Sequence, residues 1–103
     1  MTELTAVLLL QNKKGLHARA AAKFVKAVEK YTASVKVTKI KSETHLTEEA
    51  SDYATVSGTS ILGLMMLAAE CGASIEVVAS GDDAPKVIEE LTALLNRKFD
   101  EEE

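Results

Sequence analysis

The sequence has no tryptophan, one cysteine and one proline among its 103 residues, and its aromatic side chains are two Tyr and two Phe. A single cysteine, Cys71, cannot form an internal disulfide or a four-cysteine metal site, which excludes the disulfide framework of a small secreted protein. No apolar run reaches the roughly 20 residues that cross a bilayer. Residues 1–16 lack the pattern of a signal peptide, because Glu3 precedes the apolar run and Lys13 and Lys14 follow it. These absences predict a cytoplasmic protein without membrane insertion.

Charge is distributed unevenly along the chain. The formal net charge is −4, yet residues 1–41 carry nine Lys/Arg against two acidic residues, and residues 42–103 carry three against fourteen. A basic first third can attract phosphate or an acidic protein surface. The acidic remainder, together with the scarcity of aromatic side chains for base stacking, predicts that nucleic acid is not a partner.

The hydrophobic content of 47% and the charged content of 27% are typical of one folded domain, predicted here to span residues 1–103. Hydrophobic patterning predicts, in order, a strand at 4–10, a helix at 18–31, strands at 33–40 and 54–57, a helix at 60–69, a strand at 73–80 and a helix that begins at 81–83. This βαββαβα order predicts an α+β open-faced sandwich, in which three helices cover one face of a four-stranded antiparallel sheet. The polar, acidic residues 42–53 are predicted to form an inserted surface loop.

The predicted helices carry boundary signals and apolar faces. Thr59 or Ser60 is suited to cap the second helix, and Gly72 to end it. Asp82 or Asp83 is suited to cap the third. Helical spacing predicts buried faces formed by Ala18, Ala21, Ala22, Val25 and Val28 in the first helix and by Val87, Ile88, Leu91, Leu94 and Leu95 in the last.

The strongest chemical signal is His17, which lies between a predicted strand and a predicted helix. Gly15 allows a tight turn before it, so the imidazole is expected at the helix entrance, beside backbone N–H groups without an intrahelical partner. These donors favour an anion and a neutral, nucleophilic imidazole, and Arg19 can offer a forked donor set to phosphate oxygens. The arrangement suits reversible phosphorylation on nitrogen, although spacing alone leaves open a simple cap or surface histidine and a solvated arginine. His45 is predicted to be an ordinary solvated side chain, and Cys71 to be structural.

Three segments of the chain carry a resemblance to a known family: GLHARAAAKFV, GTSILGLMMLAAECG and IEVVASGDDAPKVIEEL. They resemble the HPr family, the phosphohistidine carriers of the bacterial phosphoenolpyruvate-dependent phosphotransferase system, and the LMML run and the ending NRKFDEEE resemble its nitrogen-branch members, NPr. The resemblance implies that enzyme I phosphorylates His17 on Nδ1, that Arg19 holds the phosphate, and that the group then passes to an enzyme IIA. It also implies a monomeric carrier rather than a free-standing enzyme, without metal or cofactor.

The resemblance assigns roles to the second helix as well. Ser60 matches the serine that HPr kinase/phosphorylase modifies in many members, and Thr59 or Ser60 is expected to cap the helix in any case. Leu62, Met65 and Met66 match the partner-docking surface of the family. A short helix on a sheet cannot bury all of its apolar residues at once, so some of these are expected to be exposed.

Two departures from the family stand out, and two other functions remain open. Ala20 stands where the family usually has proline, which leaves the first helical turn less constrained, and the family assigns no role to an insertion at 42–53.

One alternative function is that of a regulatory interaction protein of the same fold that acts through Ser60 and the helix at 60–69, with His17 idle. The other is a small-ligand-binding module on the same sheet.

Overall fold

The computed structural model describes residues 2–40 and 55–101 and confirms the predicted order of elements. These elements are β1 (Glu3–Leu9), α1 (Ala18–Glu29), β2 (Ser34–Ile40), β3 (Thr55–Ser57), α2 (Ile61–Met66), β4 (Ser74–Ser80), α3 (Ala84–Asn96) and a 3-10 turn (Lys98–Asp100). The predicted insertion at 42–53 and His45 lie outside the described residues. Within the described parts of the chain, no helix is long and apolar enough to cross a membrane.

The four strands form one antiparallel sheet in the order β1-β4-β2-β3, which confirms the predicted fold class. β4 lies in the centre: Ser80 is opposite Glu3 of β1 on one side and Ser34 of β2 on the other. At its other end, Ser74 is opposite Leu9 and Ile40. The strand that comes last in the sequence is therefore central, and it holds the N-terminal strand against the rest of the sheet.

Side chains alternate across the sheet, and one face packs beneath the helices. Val35 and Val37 of β2 are buried, as are Ile75, Val77 and Ala79 of β4. This is the face that the alternation of side chains along each strand predicts. Helices α1 and α3 add their apolar faces to the same core, where Phe24 and Leu91 are fully buried. The opposite face of the sheet carries the more exposed positions of each strand.

The buried face of α1 differs from the predicted one. Ala18 is exposed and Ala22 is half-buried, whereas Ala20 and Phe24 are fully buried. The face that packs on the core comprises Ala20, Ala21, Phe24, Val25, Ala27 and Val28. The helix also ends at Glu29 rather than residue 31, because Lys30 and Tyr31 donate their N–H groups three residues back, to Ala27 and Val28, and so tighten the last turn.

Helix α2 is shorter than predicted. It ends at Met66 rather than residue 69, and Gly72 therefore does not stop it. The physical reason is at Ala68, whose φ of 53° lies in the left-handed region and breaks the helix. The chain after the break makes hydrogen bonds elsewhere: Gly72 N donates to the Leu10 carbonyl at 2.8 Å. The predicted cap is confirmed, since Ser60 Oγ accepts from Gly63 N at 2.9 Å.

Helix α3 begins at Ala84, and its cap position is Asp83. The Asp83 carboxylate makes no capping bond within the helix and instead accepts from the N–H of Thr32 at 2.8 Å. The predicted side-chain cap is therefore wrong, because the loop after α1 supplies a donor to this carboxylate. The predicted buried stripe is confirmed for Val87, Leu91, Leu94 and Leu95, with Ile88 half-buried.

Candidate functional site

The candidate site is built on the loop between β1 and α1. The side chain of Asn12 is fully buried and donates from Nδ2 to the Gly15 carbonyl at 2.7 Å, while Gly15 N donates to the Asn12 carbonyl at 3.1 Å. Gly15 has a φ of +65°, and a Cβ placed on it would lie 2.4 Å from the carbonyl oxygen of Ala69. The next residue, Leu16, donates its N–H to that same oxygen at 2.9 Å. The loop is thus held directly against the chain that follows α2.

His17 lies at the entrance of α1, as predicted. It is the N-cap residue, with extended backbone angles (φ −80°, ψ −179°), and its carbonyl accepts the N–H of Ala21 at 2.8 Å. Its side chain makes no capping hydrogen bond and is 26% exposed. The first N–H groups of the helix have no intrahelical partner, so the ring stands beside donors that favour an anion.

The ring of His17 has a partner that the sequence did not reveal. Its Nε2 lies 2.5 Å from Oε2 of Glu101, a residue 84 positions away in the chain. The other carboxylate oxygen of Glu101 accepts from Nδ2 of Asn12 at 2.9 Å. The predicted site, a histidine beside an empty anion-binding helix end, is therefore incomplete, because a carboxylate already occupies one side of the imidazole.

The electrostatic environment keeps this carboxylate ionised. Burial raises the pKa of Glu101, but the hydrogen bonds from Asn12 and His17, together with the charge of Lys23, outweigh it, so that the pKa lies below its ordinary value. Lys23 is held close by a hydrogen bond of 2.6 Å from its Nζ to the carbonyl of Phe99. An ionised Glu101 can only accept hydrogen bonds.

Arg19 lies in the first turn of α1, two residues after His17, and it is exposed. Within the described residues, no carboxylate forms an ion pair with its guanidinium. Its forked donors are therefore available to an anion at the helix entrance.

The residues predicted for partner docking are exposed on α2. Leu62, Met65 and Met66 are 68%, 41% and 74% exposed, while Leu64 of the same helix is fully buried. The Leu16–Ala69 hydrogen bond joins the chain after α2 to the loop that carries His17, and α1 and α2 are in contact. Cys71 is exposed rather than packed in the core, with its Sγ 3.8 Å from the carbonyl oxygen of Gln11.

Asn12 and Glu101 are the site residues that sequence reasoning missed. Asn12 stands in a polar turn after a strand, where an asparagine usually serves the turn alone. Glu101 stands in an acidic ending that has the composition of a solvated tail. One signal was present: Phe99, an apolar residue inside that ending, is fully buried and anchors the segment.

Comparison with protein families gives a match over nearly all of the chain. The profile of the PTS-HPr family, described as the PTS HPr component phosphorylation site, matches residues 4–97. The phosphocarrier protein HPr of Neisseria meningitidis serogroup A is 41% identical over 92 residues, which cover 89% of this chain and 90% of the relative. The phosphocarrier protein NPr of Shewanella violacea is 32% identical over 101 residues, which cover 98% of each chain.

Solved structures share the same fold. A crystal structure of HPr from Thermoanaerobacter tengcongensis superposes with a TM-score of 0.75 at 34% identity, and the match covers 100% of both chains. The HPr of Bacillus anthracis superposes with a TM-score of 0.73 at 30% identity, covering 90% of this chain and 96% of that one.

Proposed function

Because this chain belongs to the HPr family of phosphocarrier proteins of the phosphotransferase system, we propose that it carries the phosphoryl group on Nδ1 of His17. The group is received from phosphorylated enzyme I and delivered to an enzyme IIA. The observation that carries this assignment is the position of His17, a partly exposed ring at the uncapped entrance of α1 and inside the matched residues. In this role, residues 1–103 act as one domain, in a cytoplasmic monomer.

The helix entrance supports this chemistry in two ways. The unpartnered N–H groups of the first turn and the helix dipole stabilise negative charge, which suits the oxygens of a phosphoryl group on His17. Arg19, exposed in the same turn, supplies a planar, permanently charged donor set to those oxygens. Together these groups stabilise the charge that develops during transfer.

The Arg19 assignment predicts a graded loss of transfer rate. A hydrogen bond to a charged group is worth about 1.5–3 kcal/mol, so Arg19→Ala should slow phosphoryl transfer roughly 10- to 100-fold. The transfer rate of Arg19→Lys should lie between those of the wild type and Arg19→Ala, because lysine keeps the charge but lacks the paired donors of the guanidinium group. Quenched time courses of phosphohistidine formation, with phosphoenolpyruvate and enzyme I, would measure the transfer rates of the three proteins.

The matched control for Arg19 is Lys36→Ala, which removes one exposed positive charge from β2 on the open face of the sheet. Its rate should equal that of the wild type. If Arg19→Ala is phosphorylated as fast as Lys36→Ala, Arg19 does not take part in phosphoryl transfer.

The docking surface joins an apolar centre to a basic rim. The centre is the exposed face of α2, formed by Leu62, Met65 and Met66. The rim consists of the basic residues around His17: Lys13, Lys14, Arg19, Lys23 and Lys26. A partner that fits this surface has an acidic rim around an apolar patch, and charge then mainly sets the rate of association. Lys23 contributes less than the exposed Arg19, because its Nζ is bonded to the Phe99 carbonyl.

A negative charge at Ser60 should weaken binding to enzyme I. Ser60→Asp keeps an acceptor at the cap position, where the serine Oγ now binds Gly63 N, but places a charge beside the apolar face of α2. The dissociation constant should rise roughly 2- to 5-fold, the size expected for about 0.5–1 kcal/mol at an exposed site. A phosphate, with about two charges, should weaken binding further.

A salt series of enzyme I titrations, followed by isothermal calorimetry, would measure this effect. The control is Thr2→Asp, which adds the same charge at the end of β1 away from the His17 loop. Binding of enzyme I by the wild type should weaken as the salt concentration rises. The difference in dissociation constant between Ser60→Asp and the wild type should become smaller over the same series. Equal constants for wild type and Ser60→Asp at every salt concentration, with no response to salt, would contradict electrostatic docking.

A further inference from the structure

The chain after α3 turns back toward the site and is held there. Residues 97–101, the C-terminal strap, contain three successive non-glycine residues with positive φ: Lys98 at 57°, Phe99 at 56° and Asp100 at 63°. Each such residue costs about 1–3 kcal/mol of backbone strain, so the surrounding structure must hold the strap in place. Phe99 does this by full burial, and Lys23 does it by donating to the Phe99 carbonyl at 2.6 Å.

The strap ends with Glu101 fixed between two donors. Asn12, itself fully buried, donates to Oε1, and the Nε2 of His17 lies 2.5 Å from Oε2. The Glu101 side chain is only 14% exposed. Each of its two oxygens lies within hydrogen-bond distance of one of these partners. Residues 98–101 lie beyond the span that the family profile matches, and no role is assigned to them by that match.

A carboxylate beside one ring nitrogen decides which nitrogen carries the proton. An ionised carboxylate only accepts hydrogen bonds, so the Nε2 of His17 must donate and therefore holds hydrogen. In the neutral ring, the lone pair is then on Nδ1. The same logic operates where a carboxylate fixes the tautomer of a catalytic or metal-binding histidine.

We propose that Glu101 is a positioning residue that holds His17 in the Nε2–H tautomer and so presents the Nδ1 lone pair to the incoming phosphoryl group. This inference rests on the proposed function for the identity of the reacting nitrogen. The pairing itself is a property of the unphosphorylated protein.

The transfer step balances without any movement of the Nε2 proton. The Nδ1 lone pair forms the bond to phosphorus, while the bond from phosphorus to the donor atom breaks and its electron pair stays on the donor. The ring, with phosphorus on Nδ1 and hydrogen on Nε2, becomes cationic, and the Glu101 carboxylate beside Nε2 stabilises that charge. In delivery, the bond from Nδ1 to phosphorus breaks, its electron pair returns to Nδ1, and the ring is neutral again.

The first test measures the tautomer directly, in the unphosphorylated full chain. Long-range proton–nitrogen NMR of the His17 ring distinguishes hydrogen on Nδ1 from hydrogen on Nε2. In the neutral ring, the wild type should show Nε2–H almost alone. Glu101→Gln keeps the shape, but an amide can either donate or accept, so the fraction of Nδ1–H should rise measurably. An unchanged tautomer fraction in Glu101→Gln would overturn the proposal.

The second test measures the rate of phosphorylation by phosphoenolpyruvate and enzyme I. Loss of the carboxylate that orients a metal-binding histidine typically costs 10- to 100-fold. By the same orienting effect, Glu101→Gln should be phosphorylated roughly 10-fold more slowly. The control is Asp100→Asn, which removes one charge at the neighbouring residue. Asp100 has an exposed pairing with Arg97 that contributes little, and asparagine tolerates a positive φ.

The outcomes separate the positioning role from the proposed function. A shifted tautomer and a slower rate in Glu101→Gln, with Asp100→Asn unchanged in both, support the positioning role. A Glu101→Gln protein that reacts as fast as the wild type, or faster, would overturn it and would identify Glu101 as neutral or as an obstacle to the donor. If the wild type accepts no phosphate at all, the proposed function fails, and the NMR result alone still decides whether Glu101 fixes the tautomer.

Discussion

Replacing His17 with alanine should abolish phosphorylation by phosphoenolpyruvate and enzyme I. The ring nitrogen of His17 is the proposed nucleophile. Among the described side chains near it, the arginine and the amide are not nucleophilic, and the Glu101 carboxylate stays hydrogen-bonded to Asn12. The fold should survive, because the His17 side chain makes no capping bond and Glu101 retains its hydrogen bond from Asn12. The loss of stability should be about 1.5–3 kcal/mol, the worth of the broken hydrogen bond to an ionised carboxylate.

Mass spectrometry of the intact chain, with and without a mild acid treatment, would measure the result. The wild type should gain one acid-labile phosphate, and His17→Ala should gain none. The matched control is His45→Ala, which removes the other histidine of the sequence and should gain one phosphate like the wild type. An acid-labile phosphate on His17→Ala would show that the carrier residue has been assigned wrongly.

Gly15→Ala should destabilise the protein strongly and should misplace His17. The φ of +65° costs alanine about 1–2 kcal/mol, and the new Cβ would lie 2.4 Å from the carbonyl oxygen of Ala69 and 2.8 Å from the Cα of Glu70. Both neighbours are backbone atoms that cannot rotate away, so overpacking adds about 1–3 kcal/mol. The expected total is about 2–5 kcal/mol, with a lower phosphorylation rate even in the fraction that remains folded.

Gly72→Ala is the control that separates conformational strain from steric overlap. Gly72 also has a positive φ, of +92°, but a Cβ there meets nothing within 4 Å. It should therefore lose only the conformational part, about 1–2 kcal/mol, and should keep the rate of phosphorylation. Urea unfolding of both variants gives the comparison. Equal losses for Gly15→Ala and Gly72→Ala would show that the contact with Ala69 is unimportant.

The parts of the site that depend on neighbouring residues can be predicted from the sequence. The sequence places His17 correctly at the entrance of α1, because a glycine turn, a histidine and an apolar helical repeat follow one another within a dozen residues. For the same reason it limits the cap of α2 to Thr59 or Ser60, and the structure shows that Ser60 makes the bond. The alternation of Val35 and Val37 likewise predicts the buried face of β2 from spacing alone.

Errors arise where contacts between distant segments outweigh local preference. The sequence favours a helix as far as residue 69, but the chain leaves the helix after Met66 and makes hydrogen bonds to Leu10 and Leu16 instead. Asp83 has the side chain of a good cap, but the N–H of Thr32 takes its carboxylate. In each case a partner more than 40 residues away is involved, and no local pattern contains that partner.

The sequence by itself determined the order of the elements, the faces of the strands and the identity of the histidine proposed to react, because hydrophobic periodicity, turns and caps are short-range properties. Only the tertiary structure decided what lies beside that histidine. Glu101 reaches His17 from 84 residues away, and it does so because burial of Phe99 and the hydrogen bond from Lys23 turn the strap back over the start of α1. From its composition alone, the acidic segment after α3 would be expected to be solvated. Burial of Phe99 instead brings Glu101 of this segment to His17.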